Sequence, residues 1–180
     1  MSLVAIQGIK GSYSEEATLK LFGGKARILE CADFAETFQT LQSGNANYAV
    51  VPLKNKIVGE IESAVSLFKK TALRVLDELP LEVRHVLVGT QNATFENLKT
   101  VRSHIEALKQ CRKFLSEHNQ FQQIIGADTA SSIRRIVDEN NAENAAIGSR
   151  RAAEIYGAKI LKENIADDLE NWTTFYLIGN

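Results

Sequence analysis

Short apolar runs alternate with capped, amphipathic stretches along almost the whole chain, and no other feature constrains its fold as tightly. LVAIQG, ARILECA, YAVVPL, TVRSH, FQQIIG, AAIGS, AKILKENI and TTFYLIG read as strands. Helices are predicted over residues 13–22, 33–45, 59–70, 105–118, 134–138 and 150–157. LRVLDELPLEVRHVLVGT predicts two strands interrupted around residues 79–81. Apolar runs this short, without strict alternation, suit strands covered on both faces. Repeated strand–helix order therefore places the chain in the layered α/β class rather than among bundles or sandwiches. Ser12 before Glu15, and Asp33 before Glu36, have capping-box spacing. The two prolines, Pro52 and Pro80, are expected where strands give way to loops. The two halves share a strand–helix grammar, so two lobes are as consistent with the pattern as one continuous sheet.

Composition removes several function classes. At 180 residues with 44% hydrophobic content, the chain can bury a core without metal or disulfide staples. Lys plus Arg number 21 against 22 Asp plus Glu, which offers no whole-chain argument for a nucleic-acid partner. No run approaches the roughly 20 apolar residues of a membrane span, and the N-terminus lacks a signal-peptide pattern, so no membrane association and a cytoplasmic location are expected. Cys31 and Cys111 have neither metal-motif nor redox-pair spacing, and His85, His104 and His118 are dispersed, so no metal site is expected.

The residues that can carry chemistry are scattered. Gly8 and Gly11 bracket a strand-to-helix turn followed by Ser12 and Tyr13, where amides and hydroxyls suit a carboxylate or simply cap a helix. It is neither a dinucleotide fingerprint nor a P-loop. After Pro52, Asn55 offers an amide between Lys54 and Lys56, two cations able to surround an anion in a turn or to sit exposed. Gly59 permits the turn that follows. His85 is a proton-transfer candidate or a structural strand histidine. Arg84 and Arg102 suit carboxylates. Ser103 and His104, and Thr129 and Ser132, stand at helix entries and serve either as ligand contacts or as caps. Trp172 and Phe175 are expected in the core or a cleft wall, beside Thr173 and Thr174.

In combination these segments resemble the catalytic domain of prephenate dehydratases over essentially the whole chain. GIKGSYSEEA, YAVVPLKNKIVGEI, RSHIEALKQC, DTASS, AAIGSRRAAEIYGAKIL and NWTTF occur in the family's order. The resemblance implies a two-lobed α/β catalytic fold like type 2 periplasmic binding proteins. One catalytic domain of residues 1–180 is expected, with lobe 1 over 1–78 plus 158–180, lobe 2 over 79–157, and no C-terminal sensing domain. It also implies prephenate as ligand, no cofactor, a homo-oligomer with a dimer favoured, and pathway enzymes as partners. Thr173 matches the threonine given a role in leaving-group protonation.

Two departures shape the functional expectation. The family has Glu–Asn–Ser after the central proline, against Lys54–Asn55–Lys56 here, and Thr–Arg–Phe against Thr173–Thr174–Phe175. A short alcohol at Thr174 cannot supply a guanidinium. Lys54 or Lys56 is expected to replace some of that charge. This pattern resembles the non-aromatising prephenate decarboxylase branch, so the leading expectation is decarboxylation to a dihydro-4-hydroxyphenylpyruvate for natural-product synthesis. Thr173 and His85 would then be catalytic. The alternatives are a true prephenate dehydratase and a degenerate small-carboxylate-binding protein.

Overall fold

The structure, a computed structural model, describes all of residues 1–180. The chain divides into two units, Met1–Val83 with Asn171–Asn180, and Arg84–Glu170. The divisions fall at 83/84 and 170/171 rather than at the expected 78/79 and 157/158. Two pairings account for the difference. Residues 79–82 continue a strand of the first sheet, and residues 159–162 join the second sheet.

The first unit is built on a mixed sheet. Its strands are β1 (Leu3–Gln7), β2 (Arg27–Cys31), β3 (Tyr48–Asn55), β4 (Gly59–Glu60), β5 (Arg74–Glu82) and, from the chain's end, β11 (Trp172–Gly179). Their order is β2-β1-β3-β11-β5, with β4 on β3 as a hairpin. β1, β2 and β3 are parallel, and β11 runs antiparallel between β3 and β5. The helices are α1 (Tyr13–Leu21), α2 (Phe34–Gln42) and α3 (Glu62–Phe68). α1 and α2 start at the expected caps: Ser12 Oγ accepts from Glu15 N at 3.2 Å, and Asp33 Oδ1 from Glu36 N at 2.8 Å. α3 begins later than expected because Gly59 and Glu60 pair with Asn55 and Lys54. Gly59 has φ +79°, which closes that hairpin without a Cβ penalty.

The two faces of this sheet bury separate cores. Val4, Ile6, Ala17, Val50, Leu81 and Phe175 pack on the α1 side, with Tyr13 and Leu177 against them. Ala5, Phe38, Leu41, Val51, Leu53, Val65 and Ile178 pack on the other, with Tyr176 against them. Burying each larger side chain contributes about 1.5–3 kcal/mol. Strand alternation thus assigns every residue of β11 to a face.

Both prolines lie inside strands instead of at strand ends. Pro80 is on β5, an edge strand, where a missing N–H breaks no ladder. Pro52 lies past the last β1–β3 pair, Ile6 with Val50, and beside a bulge. β5 runs unbroken through the expected interruption at 79–81 because β11 pairs with it along its length.

The second unit holds another mixed sheet, ordered β10-β6-β9-β7-β8. Its strands are β6 (Val86–Gly89), β7 (Thr100–Ser103), β8 (Gln122–Ile125), β9 (Asn144–Gly148) and β10 (Lys159–Lys162). The helix expected over 105–118 is two, α4 (Ile105–Gln110) and α5 (Arg112–Glu117), because Cys111 leaves helical geometry at φ −110°, ψ 25°. α6 (Thr129–Glu139) covers more than the expected 134–138 and starts at the expected polar entry, with an Asp128 cap whose Oδ1 accepts from Ser131 N at 2.7 Å. α7 (Arg150–Tyr156) follows Ser149. α6 approaches β9 so closely that a Cβ on Gly148 would lie 2.6 Å from Ile133 Cδ1. Leu87, Val101, Phe114, Phe121 and Ile147 form the core. No helix of either unit is long and apolar enough to cross a membrane.

Candidate active site

The register between β3 and β11 organises the polar groups of the first unit. Thr173 pairs with Asn55, Thr174 with Lys54, and Phe175 with Pro52, so Leu53 has no partner and forms a bulge. A bulge adds one residue and re-aims everything beyond it. Pro52 shares the α1 face with Phe175, whereas Leu53 packs in the opposite core. Strict alternation would have sent Asn55 to the α2/α3 side. The extra residue returns it to the α1 face, alongside Thr173.

There the Asn55 amide is bonded at both ends. Its Oδ1 accepts from Ile57 N at 2.9 Å and Val58 N at 3.1 Å, a turn that holds the hairpin. Its Nδ2 donates to Thr173 Oγ1 and Asn171 Oδ1, each at 2.8 Å, and to Trp172 O at 3.2 Å. Asn55 and Thr173 are buried, and Asn171 is fully so. Thr173 Oγ1 therefore accepts a hydrogen bond and keeps its own proton to give. Asn55 was expected to offer its amide to substrate; in the structure that amide is bonded to Thr173, Asn171 and the hairpin backbone.

Lys54 and Thr174 share the other face of the sheet. Thr174 follows Tyr176 and Ile178, which pack with α2 and α3, and Lys54 lies directly across from it. Thr174 is half-buried and Lys54 exposed. Glu60, the residue paired with Lys54 in the hairpin, has its carboxylate 3.7 Å from Lys69. Two of the three substituted positions, Lys54 and Thr174, are thus one cross-strand pair, turned away from the Thr173 hydroxyl.

The other first-unit candidates divide similarly. Ser12 caps α1, and Gly11 N donates to Glu15 Oε2 at 2.7 Å. Tyr13 is half-buried against the Phe175 core at the carboxyl end of β1, the end at which open α/β sheets bind ligands. Lys56 is exposed, its N donating to Trp172 O at 2.8 Å. Phe175 is core, as expected, but Trp172 is 42% exposed.

In the second unit, His85 is buried, with Nε2 2.8 Å from Gln110 Oε1. Burial pushes its pKa below the ordinary value, outweighing the Gln110 hydrogen bond. A neutral ring that donates to an amide oxygen is poorly suited to supplying a proton. Ser103 Oγ donates to Ile147 O at 2.7 Å, tying β7 to β9, and Ser132 Oγ donates to Asp128 O at 2.7 Å. His104 Nδ1 accepts from Glu106 N at 3.3 Å as the cap of α4. Arg84 is exposed, and Arg102 and Thr129 are half-buried. Cys111 is fully buried and its thiol is pushed up to about 12 by desolvation and then by Asp167. Sequence reasoning passed over Gln110, and it noted Asn171 in NWTTF without a role. Only the partner across the fold reveals the use of an amide before a strand or at a helix end.

With this geometry in view, comparison with known proteins is specific. A sequence model described as prephenate dehydratase matches residues 4–180. The chloroplastic arogenate dehydratase/prephenate dehydratase 1 of Arabidopsis thaliana is 36% identical over 176 residues, which is 98% of this chain and 44% of that protein. The chain thus spans less than half of that relative's length. A prephenate dehydratase from Arthrobacter aurescens, solved with L-Phe, superposes with a TM-score of 0.89 at 24% identity, covering 99% of this chain and 60% of the other. A structure titled GqqA, a novel type of quorum quenching acylase, superposes at 0.84 with 28% identity, covering 99% and 64%. More distantly, the periplasmic domain of BvgS from B. pertussis shares the fold at 0.52 and 15% identity.

These findings overturn the expected decarboxylase. The matching family and the curated relative are dehydratases. The structural reason is the sheet's alternation. Thr174 was read as a lost substrate cation, yet it stands on the face opposite Thr173 and leaves the buried Asn55–Thr173 pair intact.

Proposed function

The chain belongs to the prephenate dehydratase family, and on that premise we propose that it converts prephenate to phenylpyruvate, carbon dioxide and water. Prephenate carries a ring carboxylate, a pyruvyl side chain and a ring hydroxyl. As the bond to the carboxylate breaks, its electron pair enters the ring and expels the hydroxyl. Hydroxide is a poor leaving group, so a proton must reach that oxygen as it departs. Thr173 Oγ1 supplies it, and solvent restores it after water leaves. A threonine hydroxyl is a weak acid, but the Asn55 NH2 at 2.8 Å stabilises the oxygen as negative charge develops on it. The observation that carries the reading is this buried hydroxyl, held as an acceptor by a neutral donor.

The same observation weighs against an acylase-type nucleophile. Attack by Thr173 would need a base to remove its proton, and its side-chain partner is an amide donor. Ser12, Tyr13 and the positive end of α1, with Lys56, are the proposed carboxylate contacts of the first unit. His85 is better read as structural. We further propose a homodimer in the cytoplasm, which light scattering and localisation of the tagged protein would check.

Purified protein incubated with prephenate at neutral pH should form phenylpyruvate above the spontaneous rate. Thr173→Ala should lower kcat by about 10²–10⁴-fold, the usual contribution of a positioned acid. Phenylpyruvate at background level with folded wild-type protein would overturn the proposal. Running arogenate in parallel would show which ring acid is preferred.

A further inference from the structure

Building on the dehydratase reading, we infer that Asn171 is a positioning residue: it aims the Asn55 amide so that Thr173 presents a proton. The direction of every hydrogen bond in the cluster follows from backbone groups whose roles are fixed. Ile57 N and Val58 N can only donate, so the Asn55 atom facing them is Oδ1. Trp172 O can only accept, so the atom facing it is Nδ2. Nδ2 has two hydrogens, and the two partners at 2.8 Å are Asn171 Oδ1 and Thr173 Oγ1. Both must accept. The polarity therefore runs from the hairpin backbone through Asn55 to Thr173, and the threonine proton points away from Asn55.

Asn171 is placed to enforce this. Its side chain is fully buried, and its carbonyl accepts from Val83 N at 2.8 Å, which anchors the start of β11 to the end of β5. Removing its Oδ1 leaves one Nδ2 hydrogen without a close partner in a buried setting. That hydrogen is left with only Trp172 O at 3.2 Å, so the amide loses one of the two short bonds that fix its direction and is held less firmly toward Thr173. Thr173 would lose the firm aim of the donor that orients its hydroxyl while every substrate contact proposed above stays in place. Asn171 touches no reacting atom and acts through Asn55.

The test is a mutant cycle on the full chain, with prephenate as substrate. Asn171→Ala should lower kcat at least about tenfold with KM within about threefold, the signature of an interaction that matters in the transition state. In a Thr173→Ala background the same change should alter kcat by less than about threefold, because residues acting as a unit are non-additive. Thermal melting confirms that each variant is folded. Equal losses in both backgrounds, or an unchanged kcat in folded Asn171→Ala, would overturn the assignment while leaving the dehydratase reading standing. Wild-type protein that forms no phenylpyruvate would remove the reading and the assignment together. A check needs no variant: both Asn55 side-chain amide protons should exchange with solvent at least about tenfold slower than those of exposed Asn119. Exchange at the exposed rate would overturn the assignment as well.

Discussion

Placing an arginine at Thr174 tests the face argument, because the two possible roles of that position predict opposite results. Thr174 stands directly across from Lys54, at a spacing of about 4.5–5.5 Å between Cβ atoms. Thr174→Arg in the presence of Lys54 puts two cations side by side. At about 5 Å in a water-like dielectric their repulsion is about 0.8 kcal/mol, and flexible exposed side chains reduce it. The single variant should lose about 0.2–0.8 kcal/mol, a fall in Tm of roughly 1–3 °C for a chain this long. Lys54→Gln with Thr174→Arg removes the repulsion without setting a second carboxylate against Glu60, and should melt above the single arginine variant by a similar margin. The gap should shrink in about 1 M salt, where the Debye length is about 3 Å. Throughout the series kcat for phenylpyruvate should stay within about threefold of wild type, since neither residue faces the Thr173 hydroxyl. Thermal melts at low and high salt, with steady-state kinetics on the same samples, make the measurement. A tenfold or larger change in kcat on Thr174→Arg alone would refute the reasoning.

Three further outcomes follow from the structure. Cys111, buried with its thiol pushed up to about 12, should resist alkylation at pH 8 in the native protein and react only on unfolding, and buried Cys31, also raised, should be slow; prompt labelling of Cys111 in folded protein would contradict this. His85 has its pKa depressed in the folded state, so the unfolded chain binds the extra proton first, and the stability His85 contributes is present above about pH 6.5 and lost as pH falls below it. His85→Gln should therefore flatten the decline in Tm between pH 7.5 and 5, and an unchanged slope would exclude the ring as its source. Asp128→Ala should remove the cap of α6 and destabilise by about 1 kcal/mol, or roughly 2–4 °C in Tm, and an unaltered melt would show that the cap contributes nothing.

Much of the fold was legible because its signals are local. The caps Ser12 and Asp33, and the apolar runs of β1, β3 and β9, depend on neighbours within a few residues. What failed was non-local. Pro52 and Pro80 look like strand ends until β11 is laid between β3 and β5, and residues 79–81 look like a break until their pairing partners are known. The site failed for a similar reason. Thr173 was found through its motif, but placing Thr174 among the substrate contacts beside it assumed that neighbours in sequence share a face. In a strand they do not, and the Leu53 bulge, which alone puts Asn55 beside Thr173, leaves no trace in sequence. Lys54 was read as a gained cation and Thr174 as a lost one, but that they stand directly opposite each other is invisible across the 120 positions of chain that separate them.

The central claim is that a folded-state hydrogen-bond network lets Thr173 protonate the departing ring hydroxyl. The most direct measurement follows prephenate by NMR as purified protein consumes it. The account predicts an aromatic ring, formed with one carbon dioxide per molecule and at a rate that collapses in Thr173→Ala. A product that has lost carbon dioxide but kept its ring hydroxyl, or aromatic product formed equally fast by Thr173→Ala, would contradict it.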